Sequence, residues 1–578
     1  MQSSTPRLTR PPTLASKVAG RILAVLVGAA VVALLTPVFD SLNYSVLLLS
    51  YILIILAPLL VFLGWRLVGL WRLGLRRLPS RQARRAYLWT AAAFVSLTVL
   101  VYSLESWRGR RAYAALKREV EAQGTSLDLA AVIPPTVPDA DNFCDTPILR
   151  KMVDYDYEIS SLPLLREHQR WRDPEAIRRL REIQVPARQT APMRSWLRGE
   201  FIDLNAWSAW VATNRTRAGQ VTPEQPAEAM LEAMAGFEPE LRELRTASQR
   251  PKARWPLRYE DGFFLQIGVQ EREGFLRNLI HILVLRSVAS LELGRTEAAL
   301  TDWKVALRLA QSTKDEPSFF THIWRVRLLS ETIQPVWEGL ARQRWSGEQL
   351  IELETSLGQI DLPADWRRAL RGEVYLYMDL ARRLPALFSF NALRQHCRAL
   401  WSDDAGIFFV LGWLVYPRGW AYDDQVVIYR LYESLGAGRT LCCCTTEPPK
   451  AVFKPIDPLL LTFIFPRLRQ ILIDPEPFCF AQFEIESARV ACALERYRQK
   501  QGAFPGDLKA LVPQYLDPLP LAPGTQDPFL AYEPTPDGKF LLRPAIELNV
   551  PSWHRMGKNT KPVWRYTAEP TEKPASDR

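Results

Sequence analysis

The apolar positions of this chain follow two regimes. Near the start they form three uncharged runs, at residues 22–39, 41–65 and 86–104. A helix rises about 1.5 Å per residue and a hydrocarbon core is about 30 Å thick, so roughly 20 apolar residues cross it. Each run meets that length, and in lipid each backbone polar group must be satisfied within its own segment. The pattern therefore predicts three transmembrane helices. Beyond residue 120 the apolar residues recur at helical spacing instead, with charged residues between them.

Helices are expected at 174–184, 193–198 and 223–247, and most strongly across 270–387. Within that block, Ser346-Gly347-Glu348-Gln349 reads as a capping box opening a helix over 347–359. Further helices are expected at 319–342 and 363–384. The runs 407–416 and 459–465 are too short to span a bilayer and read as core segments. Trp420, Tyr422, Tyr429 and Tyr432 lie between them. Near the C-terminus, Phe483, Val490, Leu494 and Tyr497 mark one apolar face of a helix over 481–501, which Gly502 caps. The helix reads as amphipathic, and Glu484, Glu486 and Glu495 punctuate it. Two short strands follow, at 530–533 and 539–543, joined through Asp537-Gly538, a hairpin signal.

The fold class so predicted is mainly α: three transmembrane helices, an α-helical hairpin array, and a small C-terminal α+β module. The corresponding divisions are an anchor and stalk (1–120), a linker with irregular helices (121–250) and the helical array (251–400). An apolar and aromatic extension (401–475), the α+β module (476–557) and a polar, disordered tail (558–578) complete the chain.

Charge sets the expected orientation. Arg7, Arg10, Lys17 and Arg21 precede the first run, and Arg66, Arg72, Arg76, Arg77, Arg81, Arg84 and Arg85 separate the second from the third. The loop between the first two runs carries only Asp40. Basic loops stay cytoplasmic, so the body is expected outside the cytoplasm, anchored in lipid through residues 22–104. Of the net +11, the first 118 residues hold 16 basic side chains and two acids, which leaves −3 for the rest. Nucleic-acid binding needs a basic face, and the body lacks the composition for one.

Candidate chemistry is sparse. The seven cysteines (Cys144, Cys397, Cys442, Cys443, Cys444, Cys479, Cys492) form no C-x-x-C pair, and an oxidising compartment would permit disulfides among them. The five histidines (His168, His281, His322, His396, His554) fit no zinc spacing. No P-loop, nucleophile elbow or dinucleotide-binding glycine pattern occurs. No catalytic residue, cofactor or metal is assigned, and no enzyme activity is expected.

Three stretches resemble known families. Val137-Pro138-Asp139-Ala140-Asp141-Asn142-Phe143, with Thr146-Pro147, resembles a segment of uncharacterised bacterial membrane-anchored families, which brings no activity with it. Gly294, Ala299, Trp303 and Ala306 resemble the second half of a tetratricopeptide repeat: a turn glycine, two small residues that let helices approach, and a groove-filling indole. Arg286 departs from that pattern where an apolar residue belongs. A single repeat cannot bury its own face, so stacked neighbours are expected. The third stretch comprises Ala493-Leu494-x-x-Tyr497, Gly502-x-Phe504-Pro505, Leu508-x-x-Leu511-Val512, Tyr515-Leu516, Leu519-Pro520 and Asp527-Pro528-Phe529. It resembles the globular part of type II secretion pseudopilins, without their polymerising N-terminal helix. These resemblances imply packing roles for the named residues and a scaffold or protein-interaction role at the cell envelope, with other envelope proteins as partners. A secretion-associated component docking through the C-terminal module is the alternative, and an enzyme with a site assembled from distant residues is a third.

Overall fold

A computed structural model describes residues 81–156, 170–182, 195–207, 225–387, 419–436, 475–523, 526–548, 550–551 and 561–566. The described residues form twelve α-helices and five short strands. The fold is mainly helical with a small sheet, as the periodicity predicts. The chain divides into two compact units. The first comprises Met1–Arg110, Cys397–Trp420 and Lys454–Pro466; the second comprises Arg111–His396, Ala421–Phe453 and Arg467–Arg578.

In the first unit the described residues belong chiefly to α1 (Arg81–Ala122), which contains the apolar run 86–104. Trp89, Val99, Leu100 and Leu104 on it are exposed. The Trp420 indole donates to Glu105 Oε2 at 3.1 Å. Gly419 fits there because a Cβ would lie 2.3 Å from the Glu105 carbonyl oxygen.

Three membrane spans are not what the described residues show. The runs 22–39 and 41–65 lie outside them. Among the described helices, Val269–Glu292 is the one long and apolar enough to cross a membrane, and most of it is buried inside the protein. It is the core helix of the second unit, apolar because its neighbours surround it.

That unit begins with short pieces: 3-10 turns, α2 (Pro147–Lys151), the two-residue pair β1 (Tyr155–Asp156) and β2 (Arg170–Trp171), and α3 (Pro174–Glu182). The segment expected as a single helix over 223–247 is broken. A 3-10 turn at Ala235–Phe237 separates α4 (Pro226–Ala233) from α5 (Glu238–Ala247), where Gly236 and then Pro239 interrupt the helical ladder. The expected helix at 193–198 is a 3-10 turn, Ser195–Arg198.

Five long helices follow: α6 (Leu265–Glu292), α7 (Thr296–Gln311), α8 (Phe319–Ala341), α9 (Gly347–Gly358) and α10 (Leu362–Leu387). Gly294, at φ +71°, turns α6 into α7. The capping box of α9 forms as its sequence predicts: Gln349 N donates to Ser346 Oγ, and Ser346 N to Gln349 Oε1. After α11 (Trp420–Gly436) comes α12 (Glu476–Gln501).

Helix α12 differs from its expected form. It packs on α8, α9 and α10, so it completes the helical body instead of heading a separate module. Its burial runs all round, from Pro477 to Glu495. Ala481, Ala488, Ala491 and Ala493 keep it slim enough for neighbours on every side. The three glutamates that punctuate it are buried, and each is paired. Glu484 accepts from the Ser330 hydroxyl. Glu486 accepts from Gln482 and Arg489, both at 2.8 Å. Glu495 accepts from Arg498 and Tyr566. Buried carboxylates survive when they are hydrogen-bonded, which is why polarity alone misplaces them.

Gly502 caps α12 at φ +82°, as expected. The chain then forms an antiparallel sheet of β3 (Leu530–Pro534), β4 (Phe540–Pro544) and β5 (Trp564–Arg565), in that spatial order. Leu530 pairs with Pro544, Pro534 with Phe540, and Leu542 with Trp564.

Candidate functional site

The densest buried chemistry lies where α6 meets the turn at residues 312–318. Arg272 donates to both oxygens of Glu316, at 2.5 and 2.9 Å, and also to Glu273. All three side chains are buried. The Trp255 ring covers the guanidinium at 4.7 Å, a cation–π contact strengthened by the absence of water. Its indole N–H donates to Ser312 Oγ at 3.2 Å. His322 Nε2 lies 2.9 Å from the Glu316 carbonyl oxygen.

Burial dominates the electrostatics. It pushes Glu273 up to about 7, against the pull of Arg272 and with a further push from Glu316. Burial works against the Arg272 charge too, but Glu316 and Glu273 overcome it and raise the group. Burial and then Arg325 push His322 down to about 4. Burial also raises the Cys144 thiol and the Tyr155 and Tyr259 phenols nearby. One guanidinium faces two carboxylates, so the trio carries −1 with both ionised and is neutral with one proton. Among the described residues Glu273 Oε2 meets no hydrogen-bond partner. A carboxyl near neutrality can take or give a proton.

Two other networks are structural in geometry. Asp302 joins Arg245 (2.8 Å) and Arg286 (3.0 Å), and Glu238 closes the ring on both arginines. This explains Arg286 at an expected apolar position: its charge is matched by a buried aspartate on the facing helix. Glu331 on α8 lies 2.5 Å from His281 Nε2 and 3.8 Å from Arg277 Nε, both on α6. Among the described residues no group of three or more His, Cys, Asp or Glu is placed to hold a metal ion.

The residues singled out in the sequence fall into two places. Ala299, Trp303 and Ala306 are fully buried in the α6–α7 hairpin that Gly294 turns. Ser287 Oγ donates to the Ala299 carbonyl at 2.8 Å, and the Trp303 indole donates to that of Thr332 at 3.0 Å. Tyr497 packs edge-on against Tyr515, with centroids 5.3 Å apart. The Pro505 carbonyl accepts from Tyr532 at 2.7 Å. Asp527 accepts from Ala522 N at 2.8 Å through its carbonyl, and Pro528 bridges Leu521.

Neither group includes Arg272, Glu273, Glu316 or Trp255. No motif marks them; their one sequence signal is an adjacent Arg-Glu pair where a helix turns apolar. His281 and His322 are buried. His168, His396, His554, Cys397, Cys442, Cys443 and Cys444 lie outside the described residues, as do the runs 407–416 and 459–465 and the tail 567–578. Cys144 and Cys492 carry free thiols, whereas Cys479 is disulfide-bonded.

No protein-family model, curated protein or solved structure matches the chain. The likenesses to tetratricopeptide repeats and pseudopilins therefore rest on the residues quoted for them, and a functional reading must come from the chain's own physical chemistry.

Proposed function

We propose that this chain is a membrane-anchored scaffold of the bacterial cell envelope, whose helical body lies outside the cytoplasm and makes protein contacts. The observation that carries the reading is the apolar exposure on α1. Trp89 is 76 % and Leu100 63 % exposed, with Val99 and Leu104 also exposed, in a stretch without charge. Apolar surface costs about 25 cal/mol per Å² in water, and a bilayer removes that cost along a whole helix. The seven arginines before this run favour a cytoplasmic loop there, with the following chain outside. The disulfide at Cys479 suits an oxidising compartment. In the body, buried ionisable groups join helix to helix, as the Asp302 and Glu331 networks illustrate. That use suits a load-carrying framework better than an open reaction centre.

The test is a fusion after Arg578 of a reporter active only outside the cytoplasm, combined with alkaline extraction of membranes. An active reporter on protein that resists extraction supports the reading. Release by alkali, or an inactive reporter, overturns the anchor or its orientation. Turnover of peptides, glycans or phosphoesters by the purified protein would replace the scaffold with an enzyme.

A further inference from the structure

The Arg272 trio is roofed by one strap, residues 251–264, pinned at both ends. At the first end the Asn142 side chain clasps Arg254 twice, donating to its carbonyl and accepting from its N–H, both at 2.8 Å. Phe143 N donates to the Lys252 carbonyl at 2.8 Å. Arg308 from α7 adds bonds to the carbonyls of Arg250 and Lys252. At the other end Gly262, at φ +61°, sits so close to Asp379 that a Cβ would overlap its carboxylate. Between the pins, Trp255 lies on Arg272, and Tyr259, buried, stacks under the Arg254 guanidinium at 4.7 Å.

We propose that Glu273 is a proton-binding site that controls the seating of this strap. With Glu273 protonated the trio is neutral, and Trp255 covers a balanced guanidinium. With Glu273 ionised the core holds one unmatched negative charge beneath an aromatic face, whose own quadrupole is negative. Lifting the strap lets water reach that carboxylate. The reaction is proton loss from a carboxylic acid to solvent, with no other bond changed.

The groups facing the trio set the direction. From the strap come Arg254, Arg258 and the buried Asp261, with Arg258 and Asp261 paired to each other at 3.1 Å. From the segment at 142–156 come Cys144 and Tyr155, both raised by burial and so neutral near pH 7. From α8 comes His322, held neutral above about pH 4. From α7 comes Arg308, whose guanidinium lies 5.4 Å from the Phe143 ring. His322 responds to acid, with the opposite sign, so the direction of the response identifies the group responsible.

The test is hydrogen–deuterium exchange on the full-length protein in detergent. Protection factors of peptides within 252–264, corrected for intrinsic exchange, are compared with those of α7 in the same sample. A strap governed by Glu273 opens up to about tenfold more per pH unit until that carboxyl is ionised in the closed state. Its relative protection should fall tenfold or more from pH 5 to pH 7 and then level off above pH 8. Glu273→Gln should hold protection constant across that range. Glu316→Gln should do the same, because it leaves Arg272 and Glu273 as a neutral pair. Constant protection in the wild type, loosening in acid instead, or a wild-type response in Glu273→Gln overturns the proposal. Should Glu273→Gln fail to fold, the wild-type profile and Glu316→Gln decide it.

Discussion

Tyr566 donates its phenolic hydroxyl to Glu495 Oε2 at 2.8 Å, across 71 residues of chain. The acceptor is buried in α12 and already held by Arg498; the donor follows the last strand. This bond joins the small sheet to the helical body. Burial and the Glu495 charge both raise the Tyr566 pKa, so the phenol stays a donor at neutral pH. Tyr566→Phe keeps the ring contacts with Phe504 and Phe540 and removes only the hydroxyl. A hydrogen bond to a charged group contributes about 1.5–3 kcal/mol. Because Arg498 still satisfies the carboxylate, the loss should fall near the bottom of that range. A lower urea midpoint at unchanged slope is the expected result; an unchanged midpoint would mean the sheet is not tied in through this bond.

The α6–α7 hairpin offers a separation of backbone from packing. At Gly294 a Cβ would meet nothing within 4 Å, yet φ is +71°. Gly294→Ala therefore adds only left-handed strain, about 1–2 kcal/mol, and Gly294→Asn should cost less. Trp303→Ala instead empties a filled core position and removes the indole's hydrogen bond to the Thr332 carbonyl, which should cost about 3–5 kcal/mol. Equal losses from Gly294→Ala and Trp303→Ala in equilibrium unfolding would contradict this division.

Asp302 is the shared acceptor of Arg245 and Arg286. Asp302→Asn leaves two guanidiniums facing each other with Glu238 as their remaining carboxylate. Breaking a fully buried pair costs about 3–5 kcal/mol. Arg245 is partly exposed, so about 2–3 kcal/mol is expected here. Adding Arg286→Met, with an apolar residue at the position where the repeat pattern wants one, should recover part of that loss in a double-mutant cycle.

How much was legible in the sequence follows from the range of the interactions. Gly294, Gly502, Gly538 and the Ser346–Gln349 box act within a few residues, and each does what its local pattern predicts. Glu484, Glu486 and Glu495 were legible as charges but not as buried ones, because their partners include residues far along the chain, such as Ser330 and Tyr566. The same holds for Arg272, whose partner Glu316 lies 44 residues away. Periodicity reports which face a residue is on, not whether a second helix also covers the opposite face. The apolar run inside Val269–Glu292 shows the converse: composition cannot separate a membrane helix from one enclosed by protein.

The cysteines give a chemical test of compartment. Burial raises the Cys144 and Cys492 thiols, which suppresses the reactive thiolate. Neither should be alkylated in the native protein. After denaturation without reductant both should label, whereas Cys479 should label only after reduction, as read by peptide mapping. Labelling of Cys479 without reductant would remove the redox support for an extracytoplasmic body.

Glu273 and His322 should impose opposite pH slopes on stability. Folded Glu273 holds its proton up to about pH 7, against an ordinary 4.5. Its contribution is full below about 4.5 and is lost as pH rises to about 7. Folded His322 is protonated only below about 4, against an ordinary 6.5. Its contribution is full above about 6.5 and is lost as pH falls to about 4. Between those limits the two oppose each other, so the wild-type profile conceals both, and differences from variants reveal them. Relative to the wild type, Glu273→Gln should gain stability as pH rises from 5 to 7, on the order of 2 kcal/mol at 1.36 kcal/mol per pKa unit. His322→Gln should gain relative stability as pH falls from 6.5 to 4. Thermal midpoints across pH 4–8 for the three proteins measure both differences. Parallel curves for wild type and Glu273→Gln would show that Glu273 titrates alike in the folded and unfolded chain, and the trio would then be a fixed ion cluster with no response to protons.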